Sequence, residues 1–173
     1  MSAADEVIDA GGRYVSAGFI DMHIHGAGGY DFLDKSEEAY KKIAQMTARH
    51  GATSILPTLT SVDREGMKTA IEIFKRVKDS DFGGSNLLGL HAEGPYFAES
   101  QKGAQDDRFI RPFDPEEYSE ILDTADGCLL RWSAAPELDG SNEFAKTLLS
   151  CGVLPSMGHS DADSEPILCA VRD

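Results

Sequence analysis

Short apolar runs alternate with amphipathic stretches along this chain, and the alternation repeats five times. Gly18-Phe19-Ile20-Asp21-Met22 is the first run. A helical pattern follows from about Ser36 to His50, opened by Asp34 with Glu37 three residues on, the spacing of a capping box. Thr53-Ser54-Ile55-Leu56-Pro57 is the second strand, and Asp63 to Lys78 the second helix. Leu87-Leu88-Gly89-Leu90-His91 is the third strand; a Gly-rich, polar loop then runs to Asp114-Pro115-Glu116-Glu117, where a capping Asp and a Pro in the first turn mark a helix start. Leu129-Leu130-Arg131-Trp132-Ser133 is the fourth strand, with a helix from Asn142 to Ser150. Gly152 to Met157 is the fifth, with a last helix from about Asp163.

Strands that alternate with helices predict a parallel sheet with crossover helices, either a barrel or a doubly wound sheet. Residues 1–18 stand apart: Val7 to Val15 reads as a short hairpin, an N-terminal arm or the stub of a second sheet, leading into a barrel portion over 19–173. A chain of 173 residues is long enough to bury a real core.

Composition narrows the function more than the fold. Thirty acidic residues against sixteen basic ones give a formal net charge of −14. Such a surface repels phosphate backbones and anionic membranes, so neither nucleic acid nor membrane is expected as a partner. An anionic small substrate stays open, because a few local cations override the mean field. No apolar run approaches the ~18 residues that a span requires, and no secretory leader is read. Cys128, Cys151 and Cys169 are few, odd in number and not in CxxC spacing, and are expected as small buried hydrophobes in a reducing cytoplasm.

The candidate chemistry lies at strand ends. In Asp21-Met22-His23-Ile24-His25-Gly26, the strand period of two puts His23 and His25 on one face at a C-terminal end, where two imidazoles can grip one divalent cation. Parallel barrels carry their active sites on this rim. His91-Ala92-Glu93-Gly94-Pro95 ends the third strand, and Glu93 can complete or bridge a metal site there. His91 is either an orienting group or a packed residue, and packing is the favoured reading. Met157-Gly158-His159-Ser160 ends the fifth strand and adds His159. His50 closes a helix, where a histidine suits the dipole, and is read as a cap. The set His23, His25, Glu93 and His159 supplies the N and O donors of a metal-assisted hydrolase, which lowers the pKa of a water towards ~7.

These segments resemble the N-acetylglucosamine-6-phosphate deacetylases of the amidohydrolase superfamily. The match runs through Val15-Ser16-Ala17-Gly18-Phe19-Ile20-Asp21-Met22-His23-Ile24-His25-Gly26, Gly51-Ala52-Thr53 and Pro57-Thr58. It continues in Leu90-His91-Ala92-Glu93-Gly94-Pro95-Tyr96, Lys102-Gly103-Ala104-Gln105, Ala135-Pro136-Glu137 and Gly158-His159-Ser160. HxH is generic to the superfamily; HxEGP followed by KGAQ, APE and GHS is far more specific.

The resemblance implies a TIM-type (β/α)8 barrel, of which about the first five βα units are present, preceded by a stub of an N-terminal β-sandwich. It implies Glu93 and His159 as ligands of a divalent metal, commonly zinc, with the HxH pair typical of members that hold two ions. Ala104 and Gln105 match the substrate-binding dipeptide, whose second position is histidine in some members. The implied reaction is hydrolysis of the N-acetyl amide of N-acetylglucosamine 6-phosphate to glucosamine 6-phosphate and acetate. A further histidine ligand, the general-base aspartate and most phosphate-holding cations are expected beyond Asp173, partly from a second subunit of a homodimer. The 173 residues alone are therefore expected to bind metal but to turn over negligibly. Two alternatives remain: a non-catalytic half-barrel that acts by association through its open strand edges, or an amidohydrolase acting on a cyclic amide. The second is disfavoured because its relatives use a carbamylated lysine where this strand end offers Glu93.

Overall fold

The computed structural model describes residues 7–172. In chain order the elements are β1 (Phe19–Ile24), β2 (Gly26–Ala27), β3 (Tyr30–Asp31), α1 (Glu37–Arg49), β4 (Ala52–Leu59), α2 (Arg64–Val77) and β5 (Asn86–Leu87). They continue with β6 (Leu90–Glu93), α3 (Pro115–Ala125), β7 (Leu129–Ala134), α4 (Ser141–Ser150), β8 (Leu154–Met157) and α5 (Ser164–Arg172). The main sheet has the order β1-β4-β6-β7-β8, every pairing parallel, with β5 beside β4. Sequential strands lie side by side without a reversal of order, as in an open half of a (β/α) barrel rather than a doubly wound sheet.

Alternation along the strands separates two faces. Ile55, Leu59, Leu90, Ala92 and Trp132 join Ile43, Ile71, Phe74, Ile121 and Phe144 of the helices in one buried cluster. The helices reach it through their own spacing: α2 buries Met67, Ala70, Ile71, Phe74 and Val77, an i, i+3, i+4, i+7 stripe. Asp63 caps that helix by accepting from the Gly66 N–H at 2.6 Å, and Asp114 caps α3 by accepting from the N–H groups of Glu116 and Glu117. The opposite, inner face carries Thr58, His91, Glu93 and Ser133.

Several expectations change. The capping box at α1 does not form: Ser36 is the N-cap, with no side-chain bond, while Asp34 accepts from the Asp31 N–H at 2.8 Å. The third strand is split into β5 and β6 at Leu88-Gly89, where β7 comes so close that a Cβ on Gly89 would sit 2.5 Å from Leu130 Cγ. The hairpin read at 7–15 is reduced to a turn, with Arg13 N–H donating to Ala10 O at 3.0 Å and no strand over these residues. Met1 to Glu6 lie outside the described residues. Of the three cysteines only Cys128 is buried, whereas Cys151 and Cys169 are exposed. Among the described residues, no helix is long and apolar enough to cross a membrane.

Both ends of the sheet are open. Phe19 on β1 is 74% exposed and Leu154 on β8 61%, because each edge strand lacks a neighbour on one side.

Candidate metal centre

Three imidazoles converge on one buried carboxylate at the C-terminal rim. Glu93 Oε1 lies 3.1 Å from His23 Nε2 and 3.3 Å from His159 Nε2; Glu93 Oε2 lies 3.3 Å from His25 Nε2. The two histidines of β1 also meet each other, Nε2 to Nε2, at 3.3 Å. Ligand atoms of His23, His25 and Glu93 lie within 4.8 Å of one another, and His159 joins them through its contact with Glu93. The ring nitrogens of His23 and His25 and the carboxylate thus face one small volume, as donors around a cation do, and His159 borders it through Glu93.

The far sides of the rings show which lone pairs are available. His25 Nδ1 stands 3.1 Å from Thr58 O, and His159 Nδ1 2.9 Å from Gln101 O. A carbonyl oxygen only accepts, so each Nδ1 donates to it, which leaves Nε2 as the ring nitrogen turned to Glu93 and the rim. This is the arrangement that fixes metal-ligating histidines elsewhere. The donor set fits a divalent metal of borderline character, with imidazole and carboxylate together.

Each side chain is positioned by its element. β1 delivers His23 and His25 two residues apart, with β1 pairing to β4. Glu93 ends β6, opposite Ser133 of β7, and is only 6% exposed. Immediately after it, Gly94 has φ +94°, and a Cβ there would sit 2.3 Å from Ser61 Oγ, so only glycine permits this turn of the chain past the carboxylate. His159 also takes a left-handed conformation, φ +50°. Its ring stacks on Phe97 with centroids 4.3 Å apart, and its carbonyl accepts from the Ala98 N–H. Glu137 secures the following residues, accepting from Ser160 Oγ at 2.7 Å and from the Asp161 N–H at 2.6 Å.

Beneath the rim lies a polar layer. His91 is fully buried, with Nδ1 3.2 Å from Thr58 Oγ1 and Nε2 2.8 Å from Ser133 Oγ. Burial, reinforced by Arg131, His23 and His25, pushes its pKa down to about 3, so it is a neutral imidazole whose ring packs edge-on against His23. Packing and orientation coincide in this one residue. His50 is the C-cap of α1, as its position predicts.

Ala104 and Gln105 follow Glu93 on the same rim but differ in exposure. Ala104 is exposed, while the Gln105 amide is buried, donating to Glu93 Oε2 at 2.8 Å and accepting from the Ser61 N–H at 2.7 Å. Ser61 and Ser133 are the site residues that motif reading passed over, and Thr58 stood in the Pro57-Thr58 match without a role. The strand period of two marks Thr58 and Ser133 as inward-facing once the strands are placed, but Ser61 lies past the end of β4 and carries no such signal.

The chain is similar to known proteins in sequence and in fold. A model of the amidohydrolase family matches residues 6–67. The N-acetylglucosamine-6-phosphate deacetylase of Mus musculus is 34% identical over 176 residues, covering 98% of this chain and 42% of its own length. A mutant N-acetyl-D-glucosamine-6-phosphate deacetylase from Mycobacterium smegmatis, solved in complex with N-acetyl-D-glucosamine-6-phosphate, superposes with a TM-score of 0.84 at 26% identity. The corresponding enzyme from Pasteurella multocida gives 0.82 at 30% identity, and in both cases the match covers 90% of this chain and 40% of the other. The chain spans about two fifths of the length of the curated relatives it matches.

Proposed function

We propose that the chain is part of an amidohydrolase of the N-acetylglucosamine-6-phosphate deacetylase group, and that its rim holds a divalent metal, zinc for preference, for hydrolysis of the N-acetyl amide of N-acetylglucosamine 6-phosphate. The observation that carries this reading is the meeting of His23, His25 and His159 on the single buried carboxylate of Glu93, at 3.1 to 3.3 Å. When bound, the metal would polarise the amide carbonyl and acidify a water. The chain's own residues do the rest of what is described here. Thr58 O and Gln101 O hold His25 and His159 in the tautomer that turns Nε2 to the rim, and Glu93 supplies the negative charge that offsets the ion.

Among the described residues, no carboxylate other than Glu93 lies within 4.0 Å of these imidazole nitrogens. The matched relatives are more than twice as long, and the proton-transfer carboxylate of the reaction, most of the groups that bind phosphate and a homodimeric assembly are proposed for a protein of that length. Exposed Ala104 is the member of the dipeptide placed to meet a sugar. A carbamylated-lysine site is disfavoured: Lys102, the nearest lysine in sequence, is paired with Asp107. Exposed thiols at Cys151 and Cys169 suit a reducing cytoplasm.

Zinc titration by calorimetry tests the site. The 173-residue chain is expected to bind zinc, and Glu93→Ala to weaken binding at least about 100-fold, through loss of the one anionic ligand. Wild-type protein that takes up no zinc would sink the reading. Acetate release from N-acetylglucosamine 6-phosphate by the 173 residues is expected to stay far below an enzymatic rate, whereas a protein of the relatives' length with this rim is expected to turn over. Turnover at an ordinary enzymatic rate by the short chain would place the proton-transfer group within it.

A further inference from the structure

Gln105 is drawn into the rim rather than left free in the pocket. Its side chain is buried and both ends of the amide are engaged, with Glu93 Oε2 on one side and the Ser61 N–H on the other. The orientation of that amide follows from its partners. A backbone N–H can only donate, so the carbonyl oxygen of Gln105 must face Ser61. The NH2 group then faces Glu93 and can only donate, so the carboxyl oxygen it meets must accept. Ser61 is itself fixed: it is 4% exposed, and its Oγ would be 2.3 Å from a Cβ on Gly94, the residue after Glu93.

The two carboxylate oxygens are consequently distinguished. Oε2 receives the Gln105 donor together with the approach of His25, whereas Oε1 faces His23 and His159. A carboxylate without this clamp rotates about its last bond and meets the three imidazoles in more than one way. The neighbouring Lys102 does not substitute for the clamp, because its ammonium is directed to Asp107.

We propose that Gln105 is a positioning residue for the metal-ligating carboxylate of Glu93, set in place by the backbone N–H of Ser61. This rests on the metal-centre reading above, and it moves the work of the Gln105 side chain from the sugar to the ligand shell. A partner that orients a ligand in this way is worth about 10- to 100-fold in metal affinity.

The test is zinc affinity, measured by calorimetry on the 173-residue chain, with the thermal midpoint of the metal-free protein recorded beside it. Gln105→Met keeps the length of the side chain and removes both hydrogen bonds. Zinc binding about 10- to 100-fold weaker than wild type is expected, and in the cobalt-loaded protein an altered visible absorption band is expected as Glu93 changes its pose. Zinc affinity within twofold of wild type overturns the proposal, including where the metal-free midpoint falls, since that is the mark of packing alone. Gln105→Asn, polar but one methylene too short to span Ser61 and Glu93, is judged by the same criterion if the Met variant does not fold. Wild-type chain that binds no zinc refutes the metal centre itself and the proposal with it; wild-type binding with unchanged variants refutes the positioning role alone.

Discussion

The imidazole of His91 lies two residues before Glu93, and its two nitrogens are taken by Thr58 and Ser133. Both hydroxyls are buried, Thr58 at 1% and Ser133 at 4% exposure, but Thr58 Oγ1 also accepts from the Ile24 N–H and donates to Leu56 O, so among the described residues it is Ser133 that depends on this ring for a partner. His91→Leu is expected to cost about 1–3 kcal/mol for the Ser133 hydroxyl left without one, read as a fall in the urea midpoint. A variant as stable as wild type would mean that water replaces the ring. The four candidate ligand positions were legible because His23, His25, Glu93 and His159 each lie at or just past the C-terminal end of a strand. The role of Gln105 was not, since a motif match says which dipeptide is present but not which way a buried amide is turned. That direction is set by a backbone N–H at Ser61, 44 residues away along the chain.

Between elements, α2 and α3 are joined by charge as well as by apolar contact. Glu120 of α3 accepts from Lys68 and from Arg64 NH1, the latter at 3.1 Å. The Lys68 hydrogen bond, opposed by partial burial, holds the Glu120 carboxyl below the usual carboxylate range. Its folded pKa is thus lower than its unfolded one, so the stabilisation is present above about pH 4.3 and is lost as pH falls through the folded value. Glu120→Gln is expected to flatten the acid side of a plot of urea midpoint against pH, with a small effect at neutrality because the group is solvated. An unchanged acid limb would show that the pair contributes nothing. The five main strands and their helices followed from periodicity, and the cap at Asp114 from residue type, whereas Asp63, read as the first helical residue, is the N-cap of α2. The β2–β3 ladder did not, as it pairs only Gly26 with Asp31 and Ala27 with Tyr30 about the Gly28-Gly29 turn, too short for any period to show. The capping box at Asp34 failed because the aspartate is used one turn earlier, on the Asp31 N–H.

At the scale of the molecule, a parallel sheet was legible in the alternation of elements, but its strand order was not, since alternation fits a barrel and a doubly wound sheet alike, and the openness of the sheet only became concrete in the exposure of its two edges. The ligand set spans that opening. His23 lies on β1 and His25 just past its end, His159 follows β8, and Glu93 ends β6 between them, with Glu93 and His159 separated by 66 residues. An ion on this rim, as proposed, would be a removable cross-link that ties the least-supported strands to the best-packed one, much as a disulfide does, and its binding energy would become folding energy. Zinc is expected to slow amide hydrogen exchange in β1 and β8 far more than in α2 or β4, measured by mass spectrometry with and without chelator. Equal slowing throughout, or none at the edges, would mean that the ion sits elsewhere. On this view the loss of metal first frays the sheet at its margins, leaving the centre of the fold closed.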